Sequence, residues 1–272
     1  MWLLDLNQVS DRQDYCFAGL LSQSERERYA SFSRPQRRRQ FLFGRMLLRF
    51  AISRSVAVPV DRIVVAERHG NAPAILNGRC RDLSFSLSHA RQWIACAIGF
   101  GCKLGVDIEA IDPARDLQSI SEIVFHPEDR RWLAQQESKD FVPEFYRLWC
   151  TREAALKLHS GACENALPLI GRSEWHSYSS AVKAGFITVI CSNKRLKTVQ
   201  QVEVQNISLA AVPDQVACRT ARVSAKSRGS KVVVKTCTTT WDPALVFEKT
   251  GATRRTRTGD LLITNQLLYQ LS

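Results

Sequence analysis

A short alternating segment restricts the fold more than any other part of the chain. Residues 105–109 read Gly-Val-Asp-Ile-Glu, in which apolar and acidic side chains alternate. In a β-strand every second residue lies on the same face, so Val106 and Ile108 point into a core. Asp107 and Glu109 then stand together on the opposite face. The alternation therefore predicts a strand with one apolar face towards a core and two neighbouring carboxylates on the other face.

A second segment, residues 149–157, reads Trp-Cys-Thr-Arg-Glu-Ala-Ala-Leu-Lys. Glu153 and Lys157 are four residues apart, so on a helix they are neighbours on one face. Adjacent carboxylates repel each other unless a cation neutralises them, and hard carboxylate oxygens favour magnesium over zinc. Each pattern taken singly is also typical of a solvated strand edge or a surface ion pair.

The two segments in this order resemble the signature pair of the 4'-phosphopantetheinyl transferases of the surfactin-synthetase-activating type. The resemblance implies an α+β fold, a pseudo-two-fold pair of similar α/β halves with the active site in the cleft between them. We expect an N-terminal half at residues 1–100 and a C-terminal half with the metal site at 101–213. Residues 214–272 lie outside the family pattern, and we expect this basic tail to be disordered.

The resemblance implies a reaction and roles for the acidic residues. The 4'-phosphopantetheine arm of coenzyme A passes to a serine of an apo acyl or peptidyl carrier protein. Asp107, Glu109 and Glu153 are the implied ligands of Mg²⁺. Glu153 is also the implied base, and Lys157 binds coenzyme A and stabilises or protonates the leaving bisphosphate.

The segment 83–89, Leu-Ser-Phe-Ser-Leu-Ser-His, alternates between apolar and hydroxyl side chains and predicts a half-buried strand. A lone histidine is more typical of a structural role than of a binding site. The segment resembles the family motif Phe-Asn-x-Ser-His, with Ser86 in place of the asparagine. The resemblance implies that Ser88 and His89 hold the phosphates of coenzyme A, with His89 at the ribose 3'-phosphate.

A helix is predicted from about Gln36, with core positions at Phe43, Met46, Leu47 and Phe50. Arg38, Arg45 and Arg49 line another face of this helix, as a solvated basic face or as a phosphate clamp. The segment 44–49 resembles one that contacts coenzyme A in the family. The resemblance supports a coenzyme A contact for Arg45 alone.

Two residues depart from the family pattern. Ala72 stands where a basic residue commonly contacts coenzyme A, and Arg152 stands where the family usually has lysine. Arginine does not donate its proton in catalysis, so any proton-transfer role at that position would be lost.

Other patterns predict further secondary structure. Strands are expected at residues 62–67, 92–99, 185–192 and 199–212, and helices at 24–28, 119–124, from 127 onwards and at 143–159.

Charge and cysteine content bear on partners and compartment. The net charge is +12, and the tail contributes half of it with ten Lys or Arg against four acids. Such a surface attracts nucleic acid, anionic membrane or an acidic partner such as a carrier protein. No secretory signal or membrane-spanning run is visible, and the nine cysteines form no Cys-x-x-Cys pair. We expect a cytoplasmic monomer with free thiols and no membrane partner.

Two other functions use the same features. A magnesium-dependent nuclease or phosphohydrolase would use the three acids with a basic face along a polyphosphate. A non-catalytic nucleic-acid-binding protein would depend on lysine and arginine alone. The combined order of the serine–histidine, acidic and Glu-Lys motifs argues against both, and we expect no nucleic-acid partner.

Overall fold

The computed structural model describes residues 1–10, 17–68, 71–80, 82–159, 169, 175–181, 185–204 and 234–238. For residues 71, 79 and 234–238 it describes the backbone alone. Within these ranges the chain is a mixed α+β protein, as predicted. The pseudo-two-fold relation between two halves stays a prediction, and so do the proposed boundaries of the halves.

Within the described residues, ten strands form three β-sheets. The strands are β1 (Trp2–Asp5), β2 (Val65–Arg68), β3 (Asn71–Ile75), β4 (Leu83–Ala90), β5 (Trp93–Phe100), β6 (Leu104–Ala110), β7 (His176–Ala181), β8 (Phe186–Ser192), β9 (Gln200–Val204) and β10 (Val234–Thr238). A five-stranded sheet has the order β10-β9-β1-β5-β4, a three-stranded sheet has the order β6-β8-β7, and β2 and β3 form a hairpin.

The described part of the chain also contains five α-helices. They are α1 (Gln23–Ser31), α2 (Pro35–Val56), α3 (Leu117–Val124), α4 (Pro127–Ala134) and α5 (Ser138–Leu158). Short 3-10 turns lie at Leu6–Gln8, Val60–Arg62 and Gly78–Cys80. No helix in the described part of the chain is both long and apolar enough to cross a bilayer.

The elements stack in four layers: α2, the five-stranded sheet, the three-stranded sheet and α5. Ile94 and Cys96 of β5 pack with the buried residues of α2. Their neighbours Trp93 and Ala95 lie on the other face of β5 and join a second cluster with Val106 of β6. Both faces of β5 are covered, and this agrees with its side chains, which are apolar on both sides.

The predicted alternation of β6 is confirmed. Val106 and Ile108 are fully buried between the two sheets. The outer face of the three-stranded sheet is covered by α5, where Ala154 and Leu158 pack with Val189. The carboxylates of β6 therefore lie on the side of the strand that faces α5.

Two predicted boundaries were wrong. The segment 62–67 begins as a 3-10 turn, and the strand starts only at Val65. Helix α5 begins at Ser138, five residues before Pro143, where the sequence had suggested its start. Because proline has no backbone N–H, the helix lacks the hydrogen bond from residue 143 to the carbonyl of Lys139, which lies in its first turn. Both residues are exposed, so water can reach that carbonyl and the helix tolerates Pro143.

The remaining predictions lie partly outside the described residues. Strand β9 covers the start of the predicted segment 199–212, and the structure does not describe the rest of that segment. In the tail it describes only β10, whose backbone pairs antiparallel with β9. The prediction of a disordered tail otherwise falls outside the described residues.

Candidate functional site

The hydroxyl face of β4 joins the two sheets at the candidate site. Ser84 Oγ donates to the carbonyl of Cys102 at 2.6 Å, and Ser86 Oγ accepts from Val106 N at 3.0 Å. Ser88 Oγ donates to Asp107 Oδ1 at 2.7 Å. Hydroxyls can satisfy buried polar groups of β6 where apolar side chains could not, which accounts for the alternation in this strand. The last of these bonds joins two predicted site residues.

Helix α5 lies in direct contact with β6 because position 105 is glycine. A Cβ atom at Gly105 would lie 1.9 Å from the carbonyl oxygen of Ala154 and 2.7 Å from Leu158 N. Real Cβ atoms do not approach other atoms so closely, so any side chain here would displace the helix. The absent side chain therefore allows Lys157 to reach across the strand.

Lys157 is bound at three points in the centre of the site. Its Nζ donates to Asp107 Oδ1 at 2.7 Å, to Ser88 Oγ at 2.9 Å and to the Val106 carbonyl at 3.1 Å. An ammonium group has three donors, and each has an acceptor here. The sequence motifs predicted Ser88, Asp107 and Lys157 as site residues, and the structure brings all three together.

The second oxygen of Asp107 has different surroundings. Asp107 is only 4% exposed, and its Oδ2 has no hydrogen-bond partner within the described residues. A buried carboxylate oxygen without a donor carries an uncompensated desolvation cost. A cation at this oxygen would remove that cost.

Glu109 and Glu153, both half-buried, lie close enough to Asp107 for their charges to interact. Desolvation and then the charge of Asp107 raise the pKa of Glu109 to about 8. The same two causes, in the same order, raise the pKa of Glu153. The repulsion expected between the carboxylates is thus present in the folded protein.

The three carboxylates lie in one region, but their oxygens do not converge on a common position. No group of three His, Cys, Asp or Glu side chains in the described ranges has the geometry of a metal site. The carboxylate oxygens of the three residues, and above all the unpartnered Oδ2 of Asp107, nevertheless suit a hard divalent cation such as Mg²⁺. The neighbouring Cys150 does not make the site favour zinc. Burial, and then the charges of Asp107 and Glu109, raise the pKa of its thiol well above the usual value. The thiolate, which is the form that binds metal, is therefore disfavoured.

His89 lies at the end of β4, where its ring is exposed to solvent on one side. Arg37, in the first turns of α2, has its Nη1 2.9 Å from His89 Nε2. Desolvation, followed by the positive charges of Arg37 and Lys157, lowers the pKa of His89 to about 4. Two cationic side chains thus approach one imidazole, which is the arrangement expected where an anion binds.

Arg45 occupies a different environment from the one predicted for a phosphate contact. Its Nη2 lies 2.6 Å from Glu67 Oε1, and its Nε lies 3.6 Å from Glu25 Oε1. Arg49 is 1% exposed and binds both oxygens of Glu25, at 2.5 and 2.9 Å. Among the described residues no hydrogen bond joins Arg45 to Ser88 or His89.

The interpretation of the three arginines as a solvated face does not fit this arrangement, and the coenzyme A contact of Arg45 stays a prediction. Arg45 and Arg49 are buried in ion pairs, so the face is not solvated. Arg38 donates to the Phe32 carbonyl at 2.9 Å and stacks on Tyr29, away from the other two. The predicted core positions of α2 are confirmed, since Phe43, Met46, Leu47 and Phe50 are all buried.

Sequence reasoning missed Arg37 and Glu25. Arg37 belongs to the run Arg37-Arg38-Arg39, and helical spacing from Arg45 selected Arg38 instead. Glu25 lies three residues after Ser22 and completes a capping box at the start of α1. That spacing was visible in the sequence, but the second role of Glu25 as a partner of Arg49 depends on how α1 packs on α2.

The two departures from the family pattern have defined surroundings. The carbonyl of Ala72 in β3 accepts a hydrogen bond from Arg68 Nε at 2.8 Å, so a guanidinium still lies beside this position. Arg152 donates to the carbonyl of Val124, the last residue of α3. Arg152 therefore links α3 to α5.

Comparison with known proteins identifies two matching family models. Residues 103–212 match the model of the 4'-phosphopantetheinyl transferase superfamily. Residues 9–99 match the model of the 4'-phosphopantetheinyl transferase N-terminal region. Together these matches cover most of the chain, and the first includes Asp107, Glu109, Glu153 and Lys157.

Curated relatives agree with these matches. The 4'-phosphopantetheinyl transferase HetI of Nostoc sp. is 31% identical over 160 residues, which are 58% of this chain and 66% of that protein. The 4'-phosphopantetheinyl transferase Sfp of Bacillus subtilis is 29% identical over 149 residues, 50% of this chain and 64% of Sfp. The 4'-phosphopantetheinyl transferase AcpT of Salmonella typhimurium is 30% identical over 126 residues, 46% of this chain and 61% of AcpT.

The chain thus spans about two thirds or less of the length of these relatives. The family matches nevertheless include both the strand that carries Ser88 and the segments that carry the acidic residues. The chain belongs to the 4'-phosphopantetheinyl transferase superfamily.

Proposed function

We propose that the protein transfers the 4'-phosphopantetheine arm of coenzyme A to a serine hydroxyl of an apo acyl or peptidyl carrier protein. The observation that carries the proposal is the buried cluster in which Lys157 binds Asp107 and Ser88, with Glu109 and Glu153 beside it. This cluster brings an ammonium group and three carboxylates into one region, which suits transfer of a phosphoryl group from an anionic pyrophosphate to a serine hydroxyl.

Coenzyme A would be held by its phosphates at the end of β4. His89 and Arg37 form the proposed contact with the ribose 3'-phosphate, because their nitrogens lie 2.9 Å apart and face the same solvent-exposed space. Ser88 and Lys157 would bind the phosphates nearer the reacting centre. Arg45 remains a proposed contact, and it would have to leave Glu67 to reach a phosphate.

Asp107, Glu109 and Glu153 are the proposed ligands of a magnesium ion, and such an ion supplies charge neutralisation at the pyrophosphate. Glu153 would take the proton of the attacking serine hydroxyl. Its raised pKa makes it a stronger base than an ordinary glutamate.

Bond making and breaking at the phosphorus involve few protein groups. The serine oxygen forms a bond to the phosphorus of the pantetheine phosphate, and the bond from that phosphorus to the bridging oxygen breaks. Adenosine 3',5'-bisphosphate leaves with the electron pair. Lys157 would donate a hydrogen bond to this leaving group and stabilise its new charge.

We further propose a monomer that works in the cytoplasm. Free thiols at Cys80, Cys96, Cys102, Cys150 and Cys191 within the described ranges agree with a reducing compartment. The net charge of +12 favours encounter with an acidic carrier protein over encounter with a basic one.

The test is the intact mass of an apo carrier protein after incubation with the protein, coenzyme A and Mg²⁺. We expect a gain of one phosphopantetheine. Glu153→Gln should abolish the gain, whereas Glu137→Gln, at the exposed N-cap position just before the same helix, should preserve it.

Three results would count against the proposal. They are no mass gain with acyl or peptidyl carriers by a folded protein, a gain that survives Glu153→Gln, and cleavage of polyphosphate or nucleic acid without coenzyme A. The last result would instead identify a magnesium-dependent nuclease or phosphohydrolase.

A further inference from the structure

The ammonium group of Lys157 neutralises the charge of Asp107. This ammonium lies 2.7 Å from Asp107 Oδ1, and it also donates hydrogen bonds to Ser88 Oγ and to the Val106 carbonyl. Asp107 is almost completely buried, so this ammonium is the compensating charge at short range. A buried carboxylate without such a partner would be strongly destabilising.

The same arrangement opposes the entry of a second cation. Asp107 Oδ2 has no hydrogen-bond partner in the described part of the chain, so it is the oxygen that can still accept an ion. An ion at Oδ2 would share one carboxylate with the Lys157 ammonium, and the two like charges would repel each other. The lysine therefore lowers the affinity of the site for a divalent cation as long as it stays on Asp107.

We propose that Lys157 is an exchangeable counter-ion of Asp107, which it leaves when a divalent cation and an anionic ligand bind together. A phosphate of coenzyme A gives the ammonium a new partner, and its departure from Asp107 removes the repulsion on the ion. The divalent cation and coenzyme A therefore bind cooperatively, and Lys157 couples them. This inference relies on the proposed function only for the location of the ion and of coenzyme A.

The geometry allows such an exchange without unfolding the site. Lys157 is 32% exposed at its side chain, whereas Asp107 is 6% exposed, so the lysine can swing towards solvent while the carboxylate stays. Ser88 Oγ continues to donate to Asp107 Oδ1 and holds the carboxylate in place. The coupling must also act in both directions, because two ligands that bind one protein affect each other's affinity equally.

The first experiment measures Mn²⁺ binding by electron paramagnetic resonance without coenzyme A. Mn²⁺ prefers the same oxygen ligands as Mg²⁺. We expect Lys157→Met to bind Mn²⁺ about tenfold more tightly than the unmodified protein, since a like charge within a few ångströms shifts such equilibria by at least that factor. Lys139→Met removes an exposed lysine from the same helix and should leave the affinity unchanged.

The second experiment repeats the Mn²⁺ titration with saturating coenzyme A. In the unmodified protein coenzyme A should tighten Mn²⁺ binding by about tenfold. In Lys157→Met this enhancement should fall to about twofold or less. Equal or weaker Mn²⁺ binding by Lys157→Met, or an undiminished enhancement, would overturn the proposal.

A third measurement uses the unmodified protein and so does not depend on the variant folding. The three hydrogen bonds of the Lys157 ammonium should slow its proton exchange and make its ¹⁵N-correlated resonance visible by nuclear magnetic resonance. Mg²⁺ and coenzyme A together should remove or shift that resonance. A resonance that stays unchanged while both ligands bind would contradict the exchange.

These measurements are separate from the test of the transfer reaction. Failure to modify a carrier protein, with cooperative Mn²⁺ and coenzyme A binding intact, would count against the proposed function alone. Transfer activity together with independent binding of the two ligands would count against the role of Lys157 alone.

Discussion

Asp107 shows how two atoms of one side chain take different roles. Oδ1 is fixed by Ser88 and Lys157, whereas Oδ2 accepts no hydrogen bond from the described residues. The fixed oxygen sets the orientation of the carboxylate, so the second oxygen is already directed before any ion arrives. Hydrogen bonds to a ligating carboxylate commonly serve this purpose.

Arg37 and Arg38 are sequence neighbours with different expected effects on coenzyme A binding. Arg37 faces His89, whereas Arg38 is bound to the Phe32 carbonyl and to the ring of Tyr29. We expect Arg37→Ala to raise the Kd for coenzyme A about tenfold or more, because a charge-assisted hydrogen bond is lost. Arg38→Ala should change it less than about twofold. Calorimetric titration measures both, and equal losses would show that only net charge matters.

His89 predicts a dependence of stability on pH. Its folded pKa of about 4 lies below the value of about 6.5 for an unfolded histidine. Between these values the unfolded chain binds more protons than the folded protein, so stability falls as the pH is lowered from about 6.5 to about 4. His89→Gln should reduce the fall in Tm across this window. An undiminished decline in this variant would assign the pH dependence to other groups.

The contact between α5 and β6 is where element packing determines the site. Residues on two elements 50 positions apart in the chain meet at one oxygen, and Gly105 sets how closely the elements approach. The alternation of β6 and the helical spacing of Glu153 and Lys157 were readable from local sequence. Which face of the helix meets which strand depends on packing between distant segments, and only the family resemblance anticipated it.

Gly105→Ala should damage both stability and activity. The added Cβ would overlap the backbone of Ala154, so α5 must shift, at a cost of about 1–3 kcal/mol or more in the free energy of unfolding. Transfer activity should fall further than stability alone explains, since Lys157 moves with the helix.

Gly44→Ala is the matched control for this prediction. Position 44 lies in α2 with nothing within 4 Å of an added Cβ, and this change should be neutral or stabilise the helix by up to about 1 kcal/mol. Urea denaturation with parallel carrier-modification assays measures both variants. If Gly105→Ala proves as harmless as Gly44→Ala, the close approach does not constrain the site.

Residue periodicity correctly predicted strands and buried helix faces, but it did not predict which residues form ion pairs. The alternating strands β4 and β6 and the buried face of α2 are all found as expected, because the core imposes a strict period on each element. Arg45 and Arg49 were interpreted by spacing on their own helix. Their partners Glu25 and Glu67 come from α1 and β2, and no local period predicts such pairings.

The charge of the whole molecule is divided between the family region and the tail. Every proposed site residue precedes residue 158, whereas the tail holds half of the net charge of +12. A chain of residues 1–213 lacks the edge strand β10 but keeps every proposed site residue, so it should retain transfer activity. Its kcat/KM for an acidic carrier protein should decline less steeply with added salt, because electrostatic attraction between exposed charges is screened.

The measurement compares kcat/KM at low and physiological ionic strength for the shortened and full chains, with coenzyme A saturating. An identical salt dependence in both would place the attraction within residues 1–213. Loss of activity at all salt concentrations, with Tm unchanged, would instead assign the tail a direct part in transfer.

The parallel pairing of β1 with β9 joins residues about 200 positions apart, with Leu3 opposite Glu203. During synthesis on the ribosome β1 emerges about 200 residues before β9, its partner on one side. Until β9 emerges, the five-stranded sheet is incomplete and one edge of β1 is open to pairing with other chains. Contacts of such long sequence separation also slow folding. The nascent chain is therefore exposed to aggregation through the edge of β1 until β9 has paired with it.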